Sequence, residues 1–69
     1  MLLKFIKSHF PRKYCCTFSI YHSDLDKYTY HPFIVRAFNP QQARQIAIIL
    51  FDDFYNGYED FDRIDIELI

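Results

Sequence analysis

Glycine is nearly absent: Gly57 is the only one in 69 residues. One glycine and no Ser/His/Asp spacing leave no catalytic or cofactor motif, and a chain this short has little room for a pocket, so an enzyme is not expected. Long hydrophobic runs are missing too. None approaches the ~20 apolar residues that a spanning helix needs. The opening MLLKFIKSHF is too short and too charged for a signal peptide and lacks a small-residue cleavage site, which makes the cytoplasm the expected compartment. Cysteine is limited to the adjacent pair Cys15 and Cys16. Neighbours on a strand point to opposite faces, so an ordinary disulfide between them is not expected, and two free thiols fit a reducing compartment. Adjacent cysteines also leave no gap for two ligands to converge on one ion, which disfavours a metal site using His9, His22 or His31.

Apolar and aromatic residues are abundant instead. Hydrophobic residues make up 51% of the chain, with eight Phe and six Tyr, too many for a disordered polymer. The length allows one small domain, residues 1–69, close to the limit at which a single core offsets chain entropy. One helix on one small sheet cannot hide every aromatic ring, so some apolar surface is expected to remain for a self-contact or a partner.

The best-bounded stretch runs from Phe33 to Gly57 (FIVRAFNPQQARQIAIILFDDFYNG). Asn39 is placed to cap a helix, Pro40 occupies the first helical position where its missing N–H is no loss, and Gln42 lies where a capping-box partner reaches back. Ala43, Ile46, Ala47, Leu50, Phe51 and Phe54 recur at three- and four-residue spacing, predicting an amphipathic helix over residues 40–55. Asn56-Gly57 supplies the left-handed stop.

Strands flank this helix. Tyr14, Cys16, Phe18 and Ile20 alternate with Cys15, Thr17, Ser19 and Tyr21, the period of a strand with one apolar face over residues 12–22. The polar Ser23-Asp24-Leu25-Asp26-Lys27 predicts a turn, and residues 28–38 a second strand in which Pro32 argues for an edge position. In the last strand Ile64, Ile66 and Leu68 alternate with Arg63, Asp65 and Glu67, whose charges suggest a face meeting water. Residues 1–11 form a short amino-terminal segment compatible with one to two helical turns or a short strand, ended by Pro11. The expected fold is therefore α+β, a ββαβ core over residues 12–69 with a three-stranded antiparallel sheet in order 2-1-3 and one helix packed on one face.

Charge is segregated along the chain. Residues 1–51 hold seven bases (Lys4, Lys7, Arg12, Lys13, Lys27, Arg36, Arg44) against two acids (Asp24, Asp26). Residues 52–69 hold seven acids (Asp52, Asp53, Glu59, Asp60, Asp62, Asp65, Glu67) against the single base Arg63. Asp52 and Asp53 fall in the last helical turn, where the macrodipole is negative and each exposed acid costs ~0.3–1 kcal/mol. With the loop acids they predict a negative surface that attracts a positively charged partner. Tyr55, Tyr58 and Phe61, interleaved with these acids, are candidate interface anchors or core. A calcium loop is excluded: counted from Asp52, an EF-hand puts Phe54 and Arg63 where oxygen ligands are needed. At the other end, Lys4, Lys7, His9, Arg12 and Lys13 alternate with Phe5, Phe10 and Tyr14, a mixture that can hold phosphates while stacking bases.

In its length, compact ββαβ plan and acidic segment from Asp52 to Glu67, the chain resembles the small single-domain anti-defence proteins of phages and mobile elements, anti-CRISPR proteins being the best-known group. That resemblance implies an inhibitor without chemistry of its own, or any cofactor, that occupies a basic nucleic-acid-binding surface of a Cas protein or complex in the bacterial cytoplasm. The seven bases outside the acidic segment argue for a local acidic patch rather than a mimic of DNA over the whole surface. The expected partner-binding residues are Asp52, Asp53, Tyr55, Tyr58, Glu59, Asp60, Asp62, Asp65 and Glu67. Two alternatives use other surfaces: a nucleic-acid-binding accessory protein acting through the basic amino-terminal segment, and a subunit that self-associates, as a homodimer for example, through Tyr21, Ile34 and Phe38.

Overall fold

In a computed structural model the described residues are 10–57 and 59–69. The amino-terminal helix or strand expected over residues 1–11 lies outside them for residues 1–9, Phe10 and Pro11 preceding β1 without regular structure, and Tyr58 lies outside them as well. The chain folds as β1 (Arg12–His22), β2 (Lys27–Ala37), α1 (Pro40–Phe54) and β3 (Arg63–Leu68). The three strands form one antiparallel sheet in the order β2-β1-β3, and α1 packs on one face, as the alternation and the helix signals predict.

Register explains the layering. β1 pairs with β2 along its whole length, Arg12 opposite Ala37 through His22 opposite Lys27, and with β3 from Tyr14 opposite Leu68 to Ser19 opposite Arg63. Because partners directly across share a face, Tyr14, Cys16, Phe18 and Ile20 lie with Val35, Phe33, Ile64 and Ile66 beneath the helix. Cys15, Thr17, Ser19 and Tyr21 lie with Ile34, Pro32, Tyr30 and Tyr28 on the outer face. β2 is an edge strand, where Pro32 is tolerated because one side of the strand has no ladder to interrupt.

The helix approaches closely because it presents alanine. Ala43 and Ala47 are fully covered, and the Cys16 thiol lies 3.8 Å from the Ala43 carbonyl oxygen. Beyond the alanines the core is aromatic. Phe18 stacks on Phe51 with ring centroids 4.3 Å apart and meets Phe61 and Phe33 edge-on at 4.8 and 5.4 Å.

Both helix ends follow the sequence signals. Asn39 is extended and its side-chain Oδ1 accepts the Gln42 N–H at 2.8 Å. Gln42 Oε1 in turn accepts the Phe38 N–H at 2.7 Å, one residue earlier than an ideal capping box, so the second strand ends at Ala37 and not at Phe38. At the other end the Gly57 N–H reaches the Asp52 carbonyl and the Asn56 N–H reaches that of Asp53, at 3.0 and 3.3 Å. Together with the left-handed Asn56 (φ 52°) this is a complete Schellman motif. The helix stops at Phe54, with Tyr55 as its cap.

Candidate functional site

The Schellman turn decides where the acids go. Asp52 and Asp53 give their main-chain carbonyls to it and leave their carboxylates exposed, and the last turn of α1 contains no base. Two negative side chains therefore sit on the negative end of the helix dipole with no base in the same turn to offset them. Glu59 and Asp60 follow in the exposed segment leading to β3.

The remaining acids do other work. Asp62 accepts the Tyr21 main-chain N–H on its carboxylate at 2.7 Å, while its own N–H donates to the Ser19 carbonyl at 2.8 Å. It extends the β1–β3 ladder beyond the first residue of β3, so the carboxylate that looked like part of a surface field also clips a loop to the sheet. Asp65 pairs with Arg63 at 3.2 Å, the one ion pair among the described residues. Asp65 and Glu67 project from the outer face of β3, opposite Thr17 and Cys15. The structure thus divides the expected surface in two: Asp52, Asp53, Glu59 and Asp60 belong to the carboxyl end of α1 and its loop, whereas Asp65 and Glu67 belong to the sheet face turned away from the helix.

Of the interleaved aromatics, Tyr55 is half-buried against Phe51, its hydroxyl 2.9 Å from His31 Nδ1. Phe61 packs edge-on against Phe18 and Phe51. Both rings are committed to the core. Tyr14 is buried as well, which removes it from the aromatics that could stack on a base, while Phe10, Arg12 and Lys13 are exposed. Tyr21, Ile34 and Phe38 are all exposed.

Two features were not anticipated from the sequence. His22 Nε2 and His31 Nε2 both bond the Thr29 hydroxyl, at 2.7 and 2.8 Å, and with Tyr55 they form a polar chain on the helix side of the sheet. It joins two strands and the helix cap. Among the described residues no group of three or more His, Cys, Asp or Glu is arranged to hold a metal ion. The second feature is a depression on the outer face, where Ser19, Tyr28, Tyr30 and Arg63 line a cavity of about 190 Å³. Strand alternation assigns Ser19 to that face, but only register reveals that Tyr30 and Arg63 flank it.

Tyr21 adds one electrostatic detail. Its hydroxyl bonds the Asp26 carboxylate across the hairpin turn, and that bond, ahead of slight desolvation and the neighbouring Tyr28, raises its pKa above the ordinary 10.0. The described helix is neither long nor apolar enough to cross a membrane. Comparison of the chain with protein-family models, with curated proteins and with solved structures returns no match.

Proposed function

We propose that the protein is a non-enzymatic inhibitor of the anti-CRISPR type, acting in the bacterial cytoplasm, and that the carboxyl end of α1 with its loop docks on a basic nucleic-acid-binding surface of a Cas protein or complex. The observation that supports this reading is the placement of Asp52 and Asp53. A helix shaped by stability alone carries Lys or Arg in its last turn, and this one carries two exposed acids and no base. Glu59 and Asp60 prolong the same surface, and a concentrated field of one sign accelerates encounter with a partner of the other.

The division of the acids sharpens the test. Reversing Asp62 breaks its bond to the Tyr21 backbone and confounds binding with folding, so the informative variant is Asp52→Lys with Asp53→Lys, Glu59→Lys and Asp60→Lys. In a nuclease-treated pull-down from a bacterial host carrying a CRISPR system, the wild-type chain is expected to retain a Cas subunit and the quadruple variant to lose it, with circular dichroism unchanged. Retention by the folded variant would remove the helix end from the account. Capture of nucleic acid alone, lost after nuclease, would replace the inhibitor with an accessory protein acting through the basic amino-terminal segment.

A further inference from the structure

A sheet ordinarily buries both apolar faces or turns a polar one to water. Here α1 covers one face, and among the described residues no element covers the other. Tyr21, Tyr28, Tyr30 and Ile34 stand on that outer face, between 41% and 64% exposed. Such a patch marks a contact surface, and its relief and charge say what fits it. Cys15, Thr17 and Ser19 run down the middle, all short. Ile34 rises in the row of Cys15, and the hollow lined by Ser19, Tyr28, Tyr30 and Arg63 lies in the row of Ser19. Knob and hollow are therefore equally far from Thr17, on opposite sides of it.

Charge repeats the same symmetry. Lys13 faces Arg36 directly across the ladder, both are exposed, and neither is in an ion pair among the described residues. Like charges directly opposite are destabilising unless something else balances them. At the hairpin end of the face the Asp26 carboxylate accepts the Tyr21 hydroxyl and the Asp62 carboxylate accepts the Tyr21 main-chain N–H, so two acids flank that ring. Lys13 and Tyr21 again lie at equal distances on either side of Thr17. On β3, Glu67 and Arg63 do the same about Asp65, which stands opposite Thr17. Every feature of the face thus has its complement at the position that a half-turn about Thr17 would give it.

We propose that the outer face binds a second copy of this chain, about a two-fold axis that lies between the two sheets, crosses β1 at Thr17 and sets the β1 strands antiparallel. Each Ile34 enters the hollow beside Tyr30 of the other copy. Lys13 and Arg36 reach the acids and ring faces around Tyr21 and Tyr28, and Glu67 reaches Arg63. Asp65 meets its counterpart near the axis, where its own Arg63 already neutralises it. A two-fold along β1 would instead press the basic ends together, so charge selects the antiparallel arrangement. The strands, with 11, 11 and 6 residues, give a face of roughly 450 Å² in plan at ~3.3 Å per residue and ~4.8 Å between strands, before side-chain relief is added. That lies at the low end of specific interfaces, near or below ~800 Å² per partner, and implies a dimer that forms at micromolar concentration. Both helix ends remain on the outer layers.

Sedimentation equilibrium of the full chain up to about 500 µM is expected to show monomer and dimer in exchange, with association weakening as salt is added. Ile34→Asp is expected to lower the association constant about tenfold or more, and so is Lys13→Glu with Arg36→Glu. Circular dichroism should not change, because all three side chains are exposed. Ile49→Gln, exposed on α1, is expected to associate like the wild type. In a mixture of ¹³C-labelled and unlabelled chains, intermolecular contacts should run from the Ile34 methyls to the Tyr30 ring, which decides the matter even if Ile34→Asp fails to fold. The dimer also covers Cys15, so its alkylation should slow as protein concentration rises. A monomer at about 500 µM, unchanged association in the folded variants, intermolecular contacts of Ile34 with α1 in place of Tyr30, or a concentration-independent alkylation rate would each overturn the proposal. The quadruple helix-end variant is expected to dimerise like the wild type, so this outcome is separable from that of the docking experiment.

Discussion

Cys15 and Cys16 differ by one position along β1 and by everything in their surroundings. Cys15 is half-exposed on the outer face with Thr17 Oγ1 3.8 Å away, whereas Cys16 is fully covered beneath α1. Burial, followed by the neighbouring Cys15, pushes the Cys16 thiol above its ordinary pKa of 9.0. The folded protein therefore holds this proton more tightly than the unfolded chain does. Stability from this source is complete below pH 9.0 and declines above it, because the unfolded chain ionises first, until the folded thiol ionises too. Urea midpoints measured from neutral pH to about 10 should fall on the alkaline side for the wild type and fall less in Cys16→Ala, Tyr21 contributing equally to both chains. Equal alkaline slopes would show that the thiol is not the group responsible. The same burial makes Cys16 a poor nucleophile, so alkylation of the native chain should mark Cys15 first.

At the scale of the elements, α1 sets two demands against each other. Its capped start and Schellman stop are what a stable helix needs, yet its last turn carries like charges on an unfavourable dipole. Asp52→Asn with Asp53→Asn should stabilise the free protein by ~0.3–1 kcal/mol per site, read as a higher urea midpoint at low ionic strength, with the gain shrinking as salt is added. A drop in stability would mean that the carboxylates are structural and would weaken the docking proposal. These elements were legible beforehand because their signals are local: a period of two in β1 and β3, a period near three and a half in α1, and Asn39-Pro40 and Asn56-Gly57 at its ends. What escaped was non-local. The role of Asp62 depends on which β1 residue its loop meets, and the His22–Thr29–His31–Tyr55 chain depends on the hairpin register and on where the helix cap lands. Ser19 reads as an ordinary outward polar residue until register places Tyr30 and Arg63 on its two sides. Alternation assigns a face to each side chain, but it does not say who stands across the strand.

The whole molecule rests on one aromatic centre. Phe18 is fully buried in the central strand and touches rings from each of the other parts of the fold: Phe33 from β2, Phe51 from α1 and Phe61 from the loop before β3. A chain of 69 residues has a total stability of roughly 3–10 kcal/mol. Phe18→Ala removes ~3–5 kcal/mol by lost transfer energy and an unfilled cavity, because four elements cannot all collapse into the same gap. The loss is comparable with the lower half of that range. It predicts a melting temperature lowered by about 12 °C or more and, if the wild type lies near the bottom of the range, a largely unfolded variant at room temperature. Phe54 is the internal control: it lies on the same helix, three residues from Phe51, but is 69% exposed, so Phe54→Ala should leave the melting temperature within a few degrees. Thermal circular dichroism and amide dispersion on both variants separate the cases. A cooperative Phe18→Ala melt close to the wild type would mean that the helix is held by Ala43, Ala47 and the strand aliphatics. In that event the aromatic cluster would be available for something other than holding the fold together.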